Sequence, residues 1–305
     1  NTRFSGTGTI SCVFKGPMTG LAGATQANGY LGAFLRSRGF DGLIIQGQAD
    51  RLTRLHIGDN GVEFLDAEPL AGSAVWDMED RIREQDGLTD KQLSVFGIGP
   101  AGENLVRFAA FVGDRGHVAS HNGVGAVLGA KRLKAITCKR GTQRAFVADP
   151  AKVNELVKPV FKDAQEFGGG NLWNWGTAGG LSGAARGGWL PIKNYTTCVF
   201  PEHEQINGQY IRGNFEWKNN PCWACQMACC KTMTITEGEY AGFTGEEPEY
   251  EGMAGMGSQL GITDAGAVTF LSNHADNIGV DVNELSWLLG WAIECSINGW
   301  ITPDQ

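Results

Sequence analysis

Four cysteines stand within nine residues in the stretch "NPCWACQMACC", which begins at Asn220. Cys222, Cys225 and Cys229 follow the spacing C-x2-C-x3-C, and Cys230 is adjacent to the third. Thiols this close belong to a tight loop that converges on one point. A disulfide pair, a zinc ion, an iron–sulfur cluster or plain packing would each account for them. Eight cysteines in 305 residues do not make a disulfide scaffold. Cys12, Cys138, Cys198 and Cys295 are scattered among apolar neighbours and read as small buried hydrophobes. The start "NTRFSGTGTI" has no basic segment followed by an apolar one, so no export signal is read and the thiols are expected reduced. That favours a metal over a disulfide. Zinc sites pair two C-x2-C knuckles, or one knuckle with two spaced histidines, and the second element is missing here. Three close thiolates plus one distant ligand suit a [4Fe–4S] cluster. The fourth ligand stays open.

Glycine supplies 45 of the 305 residues, roughly twice its usual share. So many glycines imply many left-handed turns or close approaches. "VFGIGPAGENLVRF" and "SHNGVGAVLGAKRLKAI" read equally as phosphate cradles and as tight turns. Neither fits the dinucleotide fingerprint or Walker A. The formal charge of −8 argues against an indiscriminate nucleic-acid binder. No apolar run reaches the roughly 20 residues of a membrane span. Both ends look cut, and an interior piece of a longer protein is expected.

The chain reads as α+β, with two parts. Residues 1–145 form a β-rich domain, with strands expected in "GLIIQGQ", "RLHIGDNGVEFL", "KQLSVFGIGP", "LVRFAAFVG" and "LKAITCKRG". One amphipathic helix interrupts them, with Val75, Met78 and Ile82 inward and Gly87 as its stop. Residues 146–305 form a mainly α-helical domain that carries the cysteine motif. Its helices are capped at Asp149 with Pro150 behind it, at Thr263/Asp264, and at Asp281. A Gly/Trp-rich connection runs from Gly168 to Lys193. The acidic run Glu246, Glu247, Glu249 and Glu251 has apolar rather than basic neighbours, and a carboxylate buried there would act as a proton carrier with a raised pKa.

Together these stretches resemble the aldehyde:ferredoxin oxidoreductase family of tungsten-pterin enzymes. "GPMTGLAGATQANGYLGAFLRSRGFDGLIIQGQA", "IGPAGENLVRFAAFVGD", "GVGAVLGAKRLKAI", "NPCWACQMAC" and "EPEYEGMAGMGSQLGITD" follow its motifs in order, over about residues 10–300. The resemblance implies a β-rich domain over a tungsten (or molybdenum) bis-pterin and a [4Fe–4S] cluster that passes electrons to ferredoxin or a similar carrier. It implies a small aldehyde or acid substrate, no nucleic acid, a cytoplasmic location, and either a homo-oligomer or a redox-subunit complex. Some members instead reduce an aromatic acyl-CoA thioester. A non-catalytic iron–sulfur electron carrier and a structural zinc domain are the rival readings.

By position, the resemblance places Gln26, Asn28 and Gly29 in one pterin-contacting turn and His121, Asn122, Gly123 and Gly125 in a second. Asp276 and Val280 match positions near the pterin. Cys222, Cys225 and Cys229 match three of four cluster ligands, and the fourth would lie beyond residue 305. Glu251 matches an acid near the metal, two residues after Glu249. The chain departs from the pattern at His121, where the family has Arg, and at Asn122, where it has Gly. Thr9 stands at a further Arg position unless Arg3 takes over. Gln226 and Ala228 replace Pro and Gly within the cluster motif. Phe270 and Asn273 replace a Glu-x-x-His pair, so no subunit-bridging metal is expected.

Overall fold

The computed structural model describes residue 2 and residues 4–302; Arg3 lies outside the described residues. The chain divides into two compact units. The first takes Asn1–Lys162, Pro221–Met227 and Asp276–Asp281, and the second takes the rest.

In the first unit, β1 (Ile10–Lys15) and β2 (Ala22–Ala27) pair as an antiparallel hairpin, followed by α1 (Leu31–Ser37). β3 (Thr53–Gly58) and β4 (Gly61–Asp66) form a second hairpin, turned at Asp59–Asn60 with Gly61 at φ +98°. Then come α2 (Val75–Asp86), β5 (Leu93–Gly97), α3 (Pro100–Glu103), β6 (Phe111–Gly113), β7 (His117–Ala119), α4 (Val124–Ala130) and β8 (Leu133–Lys139). One six-stranded sheet has the order β4-β3-β8-β5-β6-β7, with β3 and β8 parallel and the other neighbours antiparallel. Both faces of this sheet are covered, so β5 is buried along its whole length rather than on alternate residues, with Ser94 its one polar side chain. Its Leu93 and Val95 meet Val75, Met78 and Ile82 of α2, while Phe96 joins Leu31, Phe34, Ile57 and Ile136 on the other side. The stripe and stop expected of α2 are present, with Gly87 left-handed at φ +63°.

Residues 42–48, expected as a strand, make no ladder among the described residues. Leu43 and Ile45 pack on the core, but Ile44 is 91% exposed. β-propensity alone makes no strand without a partner.

α5 (Pro150–Glu166) starts where expected, with the Asp149 carboxylate accepting from the Lys152 N–H at 2.9 Å. The second unit then folds the Gly/Trp-rich connection into short helices, α6 (Asn171–Trp175) and α7 (Leu181–Gly187), with α8 (Gly208–Asn214) after them. A small sheet of order β11-β10-β9 joins β9 (Glu216–Asn219), β10 (Lys231–Thr234) and β11 (Thr244–Glu246). α9 (Tyr250–Met253) continues into a π-helical turn, Ala254–Ser258, and α10 (Ala265–Ile278) and α11 (Val282–Ile297) follow. Asp264 caps α10 through the Ala267 N–H at 2.8 Å. The small residues of "EGMAGMGS" let helices touch: a Cβ at Gly252 would stand 2.3 Å from Ser272 Oγ, and one at Gly255 2.9 Å from Ser286 Oγ. Among the described residues no helix is long and apolar enough to cross a membrane.

Candidate cofactor and cluster site

The β1–β2 hairpin buries one face and opens the other. Period-2 alternation turns Thr25 inward and leaves Gln26 and Asn28 exposed, beside Ser11 and Val13. Asn28 Oδ1 accepts from the Thr9 hydroxyl at 2.6 Å. At the hairpin's end the chain turns at Gly29, φ +99°, where a Cβ would meet His117 at 2.8 Å and the Asp114 carboxylate at 3.0 Å. Only glycine fits. Asp114 is buried and gathers the Tyr30 N–H at 2.8 Å, the Ser94 hydroxyl at 2.7 Å and the Val95 N–H at 3.1 Å. Burial raises its carboxyl above the ordinary range, against the pull of the Ser94 and Tyr30 hydrogen bonds.

The second turn abuts the first. Asn122 is left-handed, φ +66°, a conformation that asparagine tolerates, and its amide donates to the Ala24 carbonyl at 2.9 Å. The His121 N–H donates to Thr25 Oγ1 at 3.2 Å, and its Nδ1 lies 2.9 Å from the buried Asp281 carboxylate. Gly123 and Gly125 face inward. A Cβ on Gly123 would fall 2.0 Å from the Arg107 carbonyl, and one on Gly125 2.4 Å from that of Ala110. The Gly125 N–H is already given to Ala109 at 2.8 Å. The other Gly-rich stretch behaves alike, since a Cβ on Gly99 would stand 2.3 Å from the Ile278 carbonyl. These glycines therefore serve the chain's own close packing rather than open phosphate cradles. What remains outward is the polar set Gln26, Asn28, His121 and Asn122, hydrogen-bonding side chains on one exposed face. Such a set suits the polar edge of a heterocycle, and to that extent the residues fit a pterin. Val280 is buried, bridged to Ala109, and Asp276 is half-buried on the same segment.

The cysteine loop begins in the first unit. The Cys225 N–H donates to the Cys222 carbonyl at 3.1 Å, and Ala224 takes φ +53° to close the turn. Between them Trp223 sets its ring edge-on to Phe34 at 5.7 Å and Tyr30 at 6.4 Å, with its N–H on the Gly29 carbonyl at 3.1 Å. Ligand atoms of Cys222 and His117 lie within 4.8 Å of one another. Cys229 and Cys230 belong to the second unit. There Arg212 reaches the Cys229 carbonyl at 3.0 Å while forking onto Glu247 through two bonds of 2.6 Å. All eight cysteines, each among the described residues, stand as thiols rather than disulfides, and those of the loop are half-buried. Partly accessible thiols such as Cys222 and Cys225 are the donor type that an iron–sulfur cluster takes as thiolates.

The acidic run divides. Glu249 and Glu251 are exposed at the start of α9, whereas Glu246 and Glu247 are buried. Burial holds the Glu247 carboxyl above its ordinary range, against the Arg212 guanidinium that pulls it back. Trp223, His117 and Arg212 also belong to this region. The tryptophan between two cysteines was a visible signal for the first; the other two had none.

Two family models match the chain: the aldehyde ferredoxin oxidoreductase N-terminal domain over residues 1–140, and domains 2 and 3 of the same family over residues 153–305. A tungsten-containing aldehyde ferredoxin oxidoreductase of Pyrococcus abyssi is 35% identical over 98% of this chain and 48% of its own. The enzyme of that name from Thermococcus kodakarensis is 33% identical with the same coverage. An aliphatic sulfonate oxidoreductase, WOR-like subunit, of Pyrococcus furiosus is 31% identical over 97% of this chain and 49% of its own. Among solved structures, the active-site complex BamBC of benzoyl coenzyme A reductase with 1,5-dienoyl-CoA superposes with a TM-score of 0.81. That match covers 99% of this chain and 47% of the other at 20% identity, a shared mixed α/β fold. The chain thus spans about half the length of the curated relatives it matches. On the family models and these identities, the chain belongs to the aldehyde ferredoxin oxidoreductase family.

Proposed function

We propose that the chain is part of a tungsten bis-pterin, iron–sulfur oxidoreductase that oxidises a small aldehyde to a carboxylic acid and passes electrons to ferredoxin. One observation carries this reading: three cluster-type cysteines in a chain 33% identical, over 98% of its length, to a tungsten-containing aldehyde ferredoxin oxidoreductase. Oxidation of an aldehyde by water releases two electrons and two protons. The tungsten–pterin group supplies the two-electron redox chemistry when bound. The chain's own residues do the rest. Gln26, Asn28, His121 and Asn122 hold the pterin through their outward donors and acceptors, over a floor that Gly29, Gly123 and Gly125 keep close-packed. Asp276 and Val280 fix the segment behind that turn. Cys222, Cys225 and Cys229 bind the cluster as thiolates. Glu251, with Glu249 beside it, takes up one of the two released protons, and solvent takes the other. We place the protein in the cytoplasm, working with an electron carrier as a homo-oligomer or as a subunit of a redox complex.

The test is elemental analysis of the holoenzyme purified without oxygen, with dye reduction assayed on aldehydes and on an aromatic acyl-CoA thioester. About one tungsten and about four irons per chain are expected, with turnover on aldehydes. Cys225→Ser is expected to lose iron. Iron without tungsten or molybdenum would leave an electron carrier, zinc alone would end the redox reading, and turnover confined to the thioester would reassign the substrate.

A further inference from the structure

We propose that the groove beside Trp223 is the docking surface for a small acidic electron-carrier protein. The inference rests on the redox reading above and adds where the partner sits. The groove holds about 800 Å³ in the first unit, walled by Trp223, Ser37 and Gln92 on one part and by Lys139, Arg140 and Arg144 on another. Its lining carries three cations, Lys139, Arg140 and Arg144, and no carboxylate.

The three cations differ in how much charge they have left to offer. Lys139 shares its ammonium with Asp59. Arg140 lies over the Trp223 ring, 4.8 Å from its centroid, a contact that leaves the charge in place. Arg144 is exposed and has no carboxylate within ion-pair distance among the described residues. Two arginines therefore present uncompensated charge beside a tryptophan held rigidly by Tyr30, Phe34 and the Gly29 carbonyl. Arg and Trp on a preorganised wall are the residue types that dominate protein interfaces. Trp223 is also flanked in sequence by Cys222 and Cys225, so a partner seated here stands against the cysteine loop. A field of this sign steers an acidic protein toward the loop and gives association that weakens with salt.

The probe is a small acidic two-cluster ferredoxin, and the protein is the holoenzyme. Its Kd is measured on immobilised ferredoxin at rising NaCl, and its KM for ferredoxin is compared with that for methyl viologen, a cationic dye that needs no such surface. Arg144→Glu is expected to raise the ferredoxin Kd and KM about tenfold at low salt and to flatten the salt dependence. Arg140→Gln should act in the same direction, and viologen kinetics should stay at the wild-type value in Arg144→Glu. Lys152→Glu, a charge reversal on the exposed face of α5, should change neither. Wild-type affinity in both arginine variants, or binding that ignores salt, overturns the proposal. Because binding is read directly, a protein that holds zinc and no iron, tungsten or molybdenum yet shows the arginine-dependent binding would refute the redox reading and leave the docking surface standing.

Discussion

Arg212 is the side chain whose loss should matter most in the second unit. It and Glu247 are 4% and 5% exposed. The guanidinium makes two bonds of 2.6 Å to the carboxylate, one of 3.0 Å to the Cys229 carbonyl, and one to the Asn174 carbonyl. Arg212→Met keeps the stem and removes every one of these. Glu247 is then a buried carboxylate without its cation, and breaking such a pair from one side costs about 3–5 kcal/mol. Glu247→Leu alone should cost a similar amount by stranding the arginine. The double variant replaces two buried charges with apolar groups of similar volume, and such replacements run from neutral to stabilising. Urea denaturation of wild type, both singles and the double closes the cycle, with a coupling of several kcal/mol expected. The double variant should still lose iron, because the Cys229 carbonyl has lost its donor whatever happens at Glu247. A single-variant cost below about 1 kcal/mol, or additive losses in the double, would refute the assignment of a buried, mutually dependent pair.

Burial pushes the Glu79 carboxyl up to about 7, outweighing the pull of Arg83, which donates to it at 2.8 Å. The fold therefore prefers the neutral acid. That preference adds full stability below about pH 4.5 and is lost as pH rises through 7, a swing of about 3 kcal/mol. Thermal melts at pH 5 and pH 7 should show wild type destabilised at the higher pH relative to Glu79→Gln, and parallel curves would reject it. Gly129→Ala should destabilise by about 1–3 kcal/mol, because its Cβ would stand 1.9 Å from the Gly102 carbonyl. Gly183→Ala, inside α7 with nothing within 4 Å, should instead stabilise by about 0.5–1 kcal/mol. Equal melting shifts of one sign for both would undo the packing account of the glycines.

Local signals in the sequence decided the helices. Asp149 and Asp264 cap with their own carboxylates, and Gly87 stops α2, because each acts on backbone groups only a few residues away. The β3–β4 hairpin is legible for the same reason, and so is the cysteine spacing. The parallel pairing of β3 with β8 joins residues about eighty apart, and no local pattern encodes it. Residues 42–48 carry strand-forming residues and still lack a ladder, since pairing is decided by what lies alongside. The glycines announced close approach without saying to what; the Arg107, Ala110 and Ile278 carbonyls fill that role only once the chain is folded. The acidic run likewise could not be sorted by reading. Glu247 goes inside because Arg212, thirty-five residues earlier, meets it there, while Glu249 and Glu251 remain at the surface. Residue type and spacing thus determined which chemistry the chain can host, and tertiary packing alone decided which groups are buried, paired or left facing out, because desolvation is a property of neighbours and not of order along the chain.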